Sequence, residues 1–192
     1  MKADRDFPQE YLIVVNPSNQ ICWDVNELKY EFGLKNGKYR SQYSKAHITL
    51  VNAVLTSEEA KVFLRLLKKQ LSSFDSFDIY LNGFDFFPES NTFYIDVAAN
   101  DRLNGLQNAV LEAVKYAKPQ FSAPKDKFVP HISIGKQLSR SQFLDAYHSF
   151  HKQRYTNYFR LEDITILSRP LWDDKFKEEK YLPLKTEDWC VV

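Results

Sequence analysis

The feature that most constrains this chain is that its first half is written again in its second. Tyr11–Pro17 has a counterpart in Phe93–Ala99, 82 positions on, His47 has one in His131, 84 on, and the helix start Thr56 has one in Ser139, 83 on. Each copy runs strand, helix, polar loop, a strand opening with His-Ile, amphipathic helix, strand. Two copies of a unit of about 83 residues in a chain of 192 mean duplication, because a solenoid needs at least about three repeats to bury its faces. The expectation is one bilobal domain spanning residues 1–192, with lobes of roughly 11–87 and 93–170 facing each other across a central cleft. The lobes are expected to be two mainly antiparallel sheets with flanking helices, the C-terminal strand 181–184 closing one of them.

Hydrophobic periodicity places the elements. Tyr11–Val15 and His47–Val51 read as strands, and Val25–Phe32 as a short helix ended by Gly33. After the cap Thr56, the residues Ala60, Phe63, Leu64, Leu67 and Leu71 lie on one face of a helix. Phe77–Phe87 and Thr92–Ala98 form a hairpin around Pro88–Asn91. Leu103–Ala117 is a helix, Val129–Gly135 a strand, Arg140–His151 a helix, and Leu161–Ser168 with Tyr181–Leu184 a closing hairpin.

Composition removes several kinds of function. Five glycines, with none closer together than Gly33 and Gly37, leave no room for a Rossmann fingerprint or a P-loop. A net charge of +1 argues against a protein that lives on the backbone of long nucleic acid. Cys22 and Cys190 stand far apart and in no metal-binding spacing, so they are expected to be reduced thiols. The longest uncharged stretch, Tyr11–Trp23, is 13 residues and is broken by Asn16, Pro17 and Asn19, too short and too polar to span a bilayer. A cytoplasmic monomer with no membrane contact is expected.

The duplicated strand carries the chemistry: His47-Ile48-Thr49-Leu50 and His131-Ile132-Ser133-Ile134. Side chains alternate along a strand, so each copy buries aliphatics on one face and presents an imidazole and a hydroxyl on the other. If the pseudo-two-fold brings the copies together, two imidazoles and two hydroxyls converge. Imidazoles titrate near neutrality, so one can take a proton from an attacking oxygen while the other gives one to a leaving oxygen, each worth about 10² to 10⁴ in rate. His47 and His131 are thus the catalytic candidates. Thr49 and Ser133 are the substrate-binding candidates, donating to non-bridging phosphate oxygens where charge builds. Neither motif has a carboxylate at ligand spacing, so no metal and no other cofactor is expected.

The paired H-x-T and H-x-S strands, one per repeat, resemble the two-histidine (2H) phosphoesterase superfamily, which includes RNA 2'-5' ligase-like and cyclic phosphodiesterase proteins. The likeness runs from Tyr11 to about Leu184. It implies a bilobal, antiparallel α+β fold and metal-independent chemistry at 2',3'-cyclic or 2'-5' phosphodiesters of RNA or nucleotides. His47, Thr49, His131 and Ser133 match its motif residue by residue. The expected partner is an RNA terminus or a small nucleotide phosphodiester. The alternative on the same fold is a module that binds nucleotides or RNA ends without turning them over.

Charge placement fits either reading. Lys35, Lys38, Arg40 and Lys45 precede the first motif with no acid among them, interleaved with Tyr39 and Tyr43. Lys125, Lys127, Lys136 and Arg140 surround the second against Asp126. Positive potential beside the cleft would draw in a phosphate, and a tyrosine there could stack on a base. Arg169 is a further candidate for phosphate contact. His148 and His151, near the polar side of their helix, are expected to be solvated.

Overall fold

The computed structural model describes residues 7–119 and 127–185. Its elements, in order, are β1 (Gln9–Val15), α1 (Asn19–Asn36), β2 (Ile48–Leu55), α2 (Ser57–Leu71), β3 (Phe77–Phe87), β4 (Thr92–Val97), α3 (Asp101–Tyr116), β5 (His131–Gly135), α4 (Arg140–Phe150), β6 (Thr156–Leu161), β7 (Asp163–Pro170) and β8 (Lys177–Pro183). The antiparallel α+β expectation holds, but the two expected sheets are one eight-stranded sheet of order β6-β3-β4-β5-β2-β1-β7-β8. The joint is narrow. β2 and β5 meet at a single registered pair, Ile48 opposite Ile132, so the inner edges of two four-stranded halves satisfy each other there.

The order is palindromic in the repeat: β5-β4-β3-β6 mirrors β2-β1-β7-β8. Turn geometry decides which strands share a half. The turn at Pro88–Ser90, closed by Asn91 in the left-handed region at φ 46°, folds β3 back onto β4, so the last strand of the first repeat joins the first strand of the second. β7 in turn pairs with β1. Each half of the sheet therefore draws strands from both sequence repeats. Helices interleave likewise: α1 packs on β5 and α4, while α3 packs on β2 and α2. The rings of Phe32 (α1), Phe93 (β4) and Phe150 (α4) lie 5.1 to 6.4 Å apart and join the two sequence repeats on one half of the sheet.

Local chemistry explains the element ends. Thr56 and Glu59 form a capping box at the start of α2, and Ser139 with Gln142 repeats it at α4, one repeat later. α1 is longer than its apolar pattern suggests. Its buried stripe is Ile21, Val25, Lys29 and Phe32, with a lysine in a core position that hides the periodicity. Gly33 does not end it; a Cβ there would lie 2.3 Å from Gln42 Nε2, so glycine admits the Gln42 amide against the helix. The chain leaves the helix at Gly37, where φ is +86°. β6 was not evident from sequence, yet it pairs along β3 from Phe77 opposite Leu161 to Asn82 opposite Thr156. Among the described residues no helix is long and apolar enough to cross a membrane.

Candidate active site

β2 and β5 lie side by side at the centre of the sheet, and the duplicated motif falls at that joint. Ile48, Leu50, Ile132 and Ile134 are buried, while His47, Thr49, His131 and Ser133 are half-buried on the opposite face. Ile48 opposite Ile132 in an antiparallel pair fixes the neighbours. Continuing that register sets His47 across from Ser133 and Thr49 across from His131, with the two histidines on a diagonal of about 7–8 Å. The four candidate residues are brought together, each imidazole alternating with a hydroxyl.

The imidazoles are held alike. His47 Nδ1 lies 2.9 Å from the Lys45 carbonyl oxygen and His131 Nδ1 lies 2.8 Å from that of Val129, contacts that are again 84 positions apart. A carbonyl only accepts, so Nδ1 carries the proton in both rings and Nε2 is the second ring nitrogen, an acceptor when neutral and a donor when charged. Burial pushes both pKa values below the ordinary histidine value, against the carbonyl bonds, which raise them. The charges of Lys29, Lys136 and His131 lower His47 further, and Lys136 does the same to His131.

Lys29 has no counterpart in the sequence-level site. Its side chain is 1% exposed, and Nζ donates to the Ser44 carbonyl at 2.7 Å and to Ser44 Oγ at 2.9 Å. Desolvation lowers its pKa to about 8. It anchors the residue before Lys45, whose carbonyl orients His47. The signal that could have revealed it is a cation on the apolar stripe of a helix. The loop it holds reaches the second repeat: Lys136 N–H donates to Ser41 Oγ at 2.8 Å, and Gln142 Nε2 donates to the Asn36 carbonyl at 3.1 Å.

The two flanks of the site differ. Beside His47 lies a cavity of about 470 Å³ lined by Val14, Asn16, Asn26, Thr165 and Tyr181 among others. Beside His131 stand Phe87 and Tyr94, with ring centroids 5.1 and 4.9 Å from the imidazole. Tyr94 donates to Asp85 Oδ2 at 3.3 Å, and Asp96 lies opposite His131 in register. Burial and the Asp85 charge raise the Asp96 carboxyl. These acids lie on strands far from the motif in sequence, so motif spacing did not reveal them. A larger cavity, about 620 Å³ between α2 and α3, is lined by neither histidine.

Other expected contributors lie elsewhere. Arg169 is held by Glu10, Nε to Oε2 at 2.6 Å, at the end of β1 remote from His47; the strand from Glu10 to Val15 spans about 17 Å. It is no phosphate ligand here. Tyr39 is buried with its hydroxyl donating to the Lys29 carbonyl at 3.3 Å, whereas Tyr43 is 79% exposed. His148 and His151 are exposed, the latter stacked on Tyr147. Cys22 is a free thiol, while Cys190, Lys125 and Asp126 lie outside the described residues. Among the described residues no group of three or more His, Cys, Asp or Glu is arranged to hold a metal ion.

A fold of this topology, with an H-x-[TS] strand from each repeat meeting at the middle of the sheet, defines the two-histidine phosphoesterase class. The model of the 2'-5' RNA ligase superfamily matches residues 17–171, and the chain belongs to that superfamily. It is 31% identical over 142 residues to a provisionally named phosphoesterase of Geobacillus kaustophilus, covering 72% of this chain and 75% of that protein. A Geobacillus thermodenitrificans relative matches to the same extent. Among solved structures, Escherichia coli LigT complexed with 3'-AMP superposes with a TM-score of 0.68 at 13% identity, over 93% of this chain and 99% of that one. TT0787 of Thermus thermophilus does so with a TM-score of 0.68 at 15% identity, with the same coverage.

Proposed function

We propose that this chain is a metal-independent phosphodiesterase that opens 2',3'-cyclic or 2'-5' phosphodiesters of RNA or nucleotides by general acid–base catalysis from His47 and His131. The observation that carries this reading is the matched Nδ1-to-carbonyl bond on each imidazole, which gives both rings one tautomer and leaves both Nε2 atoms for proton transfer. One neutral ring takes the proton of the attacking water as its oxygen bonds to phosphorus. The other, protonated, gives its proton to the oxygen whose bond to phosphorus breaks. Thr49 and Ser133, each across from a histidine, donate to the non-bridging oxygens as charge builds on them. Lys29 and Lys136 add positive potential to a site for an anion. Escherichia coli LigT, which shares the fold, has been crystallised with 3'-AMP, the kind of nucleoside monophosphate that opening a 2',3'-cyclic phosphate releases.

The test is hydrolysis of nucleoside 2',3'-cyclic phosphates in excess EDTA by wild type, His47→Ala and His131→Ala, with folding verified by circular dichroism. Turnover by wild type that is lost in both variants is expected. Equal rates in wild type and the double variant reject the reading. Binding without turnover would instead identify a nucleotide- or RNA-end-binding module.

A further inference from the structure

We propose that Ser41 and Gln142 are positioning residues that tie the loop entering β2 to the turn leaving β5, and so fix the distance between His47 and His131 that the sheet by itself leaves loose. This rests on the phosphodiesterase reading and adds to it the part of the chain that spaces the two imidazoles.

The joint is weak where the spacing matters most. β2 pairs with β1 through seven residue pairs and β5 with β4 through four, whereas β2 and β5 share only Ile48 opposite Ile132. A ladder of several pairs sets both position and direction; one pair sets position and lets the strands pivot about it. His47 lies just outside β2, the last of residues 37–47 that join α1 to that strand. Eleven residues is long for a connection in a compact domain, and such a segment holds its last residue in place only when it is tied down.

Two ties cross from this loop to the second repeat. The first is a chain of hydrogen bonds that starts on α1. Lys29 Nζ donates to Ser44 Oγ at 2.9 Å, and Ser44 Oγ donates to the Ser41 carbonyl at 2.8 Å. Ser41 Oγ then accepts from the N–H of Lys136, the residue after β5, at 2.8 Å. The second tie is the Gln142 amide. Its Oε1 accepts from Ser139 N–H at 3.1 Å, which completes the capping box of α4. Its Nε2 donates to the carbonyls of Asn36 at 3.1 Å, Gly37 at 3.3 Å and Lys38 at 3.4 Å, where α1 ends and its last carbonyls have no partner within the helix.

The repeat makes the role of this amide visible. Its counterpart 83 positions earlier is Glu59, which completes the box at Thr56 with a carboxylate. Either side chain serves a capping box, but only the amide has N–H groups left to give. Both ties act on His47. The loop they hold carries the Lys45 carbonyl that binds His47 Nδ1, while His131 takes its carbonyl from Val129, on its own side of the joint. A shift of about 1 Å between groups that must meet one phosphate costs about 10²-fold in rate.

The experiment measures turnover of a nucleoside 2',3'-cyclic phosphate by variants of the full chain. Gln142→Glu keeps the box, as Glu59 does, but has no N–H for the loop. Ser41→Ala removes the oxygen that receives Lys136 N–H, and Ser41→Thr keeps a hydroxyl there. Gln142→Glu and Ser41→Ala are expected to lower kcat about 10- to 10²-fold with KM within about twofold of wild type. Ser41→Thr is expected to recover most of that loss. Glu59→Gln, the reciprocal change in the other box, is expected to turn over at the wild-type rate. A loss in KM alone, wild-type kcat in both variants, or an equal loss in Glu59→Gln overturns the assignment. Nitrogen-15 NMR of the ring N–H groups needs no turnover and so separates this proposal from the phosphodiesterase reading. Water exchange of the His47 Nδ1–H is expected to quicken in Gln142→Glu and Ser41→Ala, while that of His131 keeps its wild-type rate. Equal change at both rings, or none at either, overturns the proposal. Absence of wild-type turnover together with a change confined to His47 rejects the phosphodiesterase reading and supports the tie.

Discussion

Replacing Lys29 by methionine removes a charge that the fold buries at a cost, and the size of that cost follows from the structure. The fall from an ordinary lysine value of 10.5 to about 8 corresponds to about 3 kcal/mol of preference for the neutral amine in the folded state. Because the folded pKa is depressed, the folded protein binds this proton less tightly than the unfolded chain does. Below pH 8 the amine is charged in both states and the whole cost is present. Between about pH 8 and 10.5 the folded state sheds the proton first and wild type gains stability. Lys29→Met has nothing to titrate there. Urea denaturation of both proteins from pH 7 to 10.5 should therefore show the wild-type-minus-variant difference rising by about 3 kcal/mol, however the lost bonds to Ser44 set its starting point. A flat difference would refute the reasoning. The variant has a kinetic signature too: without the Lys29 charge the His47 pKa rises, so the limb of the kcat/KM profile that reports His47 moves to higher pH, while loosening of Ser44–Lys45 lowers kcat.

Both imidazoles titrate below the ordinary histidine value of about 6.5, so the form with one ring charged and one neutral is most populated on the acid side of that value. The kcat/KM profile should be a bell with its maximum below about pH 6.5, and a monotonic rise from pH 5 to 9 would contradict the division of labour. Thr49→Val and Ser133→Ala each remove one hydroxyl donor and should each lower kcat about 10²-fold with the melting temperature retained; loss confined to KM would assign them to ground-state binding. Gly135→Ala places a Cβ 2.9 Å from both Leu138 Cδ1 and the rigid Phe93 ring, at the end of the strand that carries His131. It should cost about 1–3 kcal/mol, read as a melting temperature lower by about 2–4 °C per kcal/mol, and an unchanged melting temperature would show that the ring yields.

The four candidate residues were legible because each motif is local, an alternating four-residue pattern written twice at one offset; the diagonal between them is set by the pairing of β2 with β5. What surrounds the diagonal was not legible, because it too comes from pairing. That β3 crosses to the second half, setting Phe87 and Asp85 near His131, depends on the Pro88–Ser90 turn and on register, which no motif records. The same crossing moved Arg169 away, since β7 runs antiparallel to β1 and puts that residue at the end opposite the site. Lys29 was hidden for a related reason. A charge on an apolar stripe weakens the helical pattern, and only the packed loop shows that Ser44 receives it. β6 escaped because only Phe159 and Leu161 mark its buried side, too short an alternation to stand out.

The central claim is that two rings, one from each repeat, address the same phosphorus from opposite sides. A crystal structure of the protein with a nucleoside vanadate, which holds five oxygens in the geometry of the displacement, measures this directly. The account predicts His47 Nε2 and His131 Nε2 each within about 3 Å of a different apical oxygen. Vanadate held by one imidazole alone, or bound with both rings on the same oxygen, would contradict it.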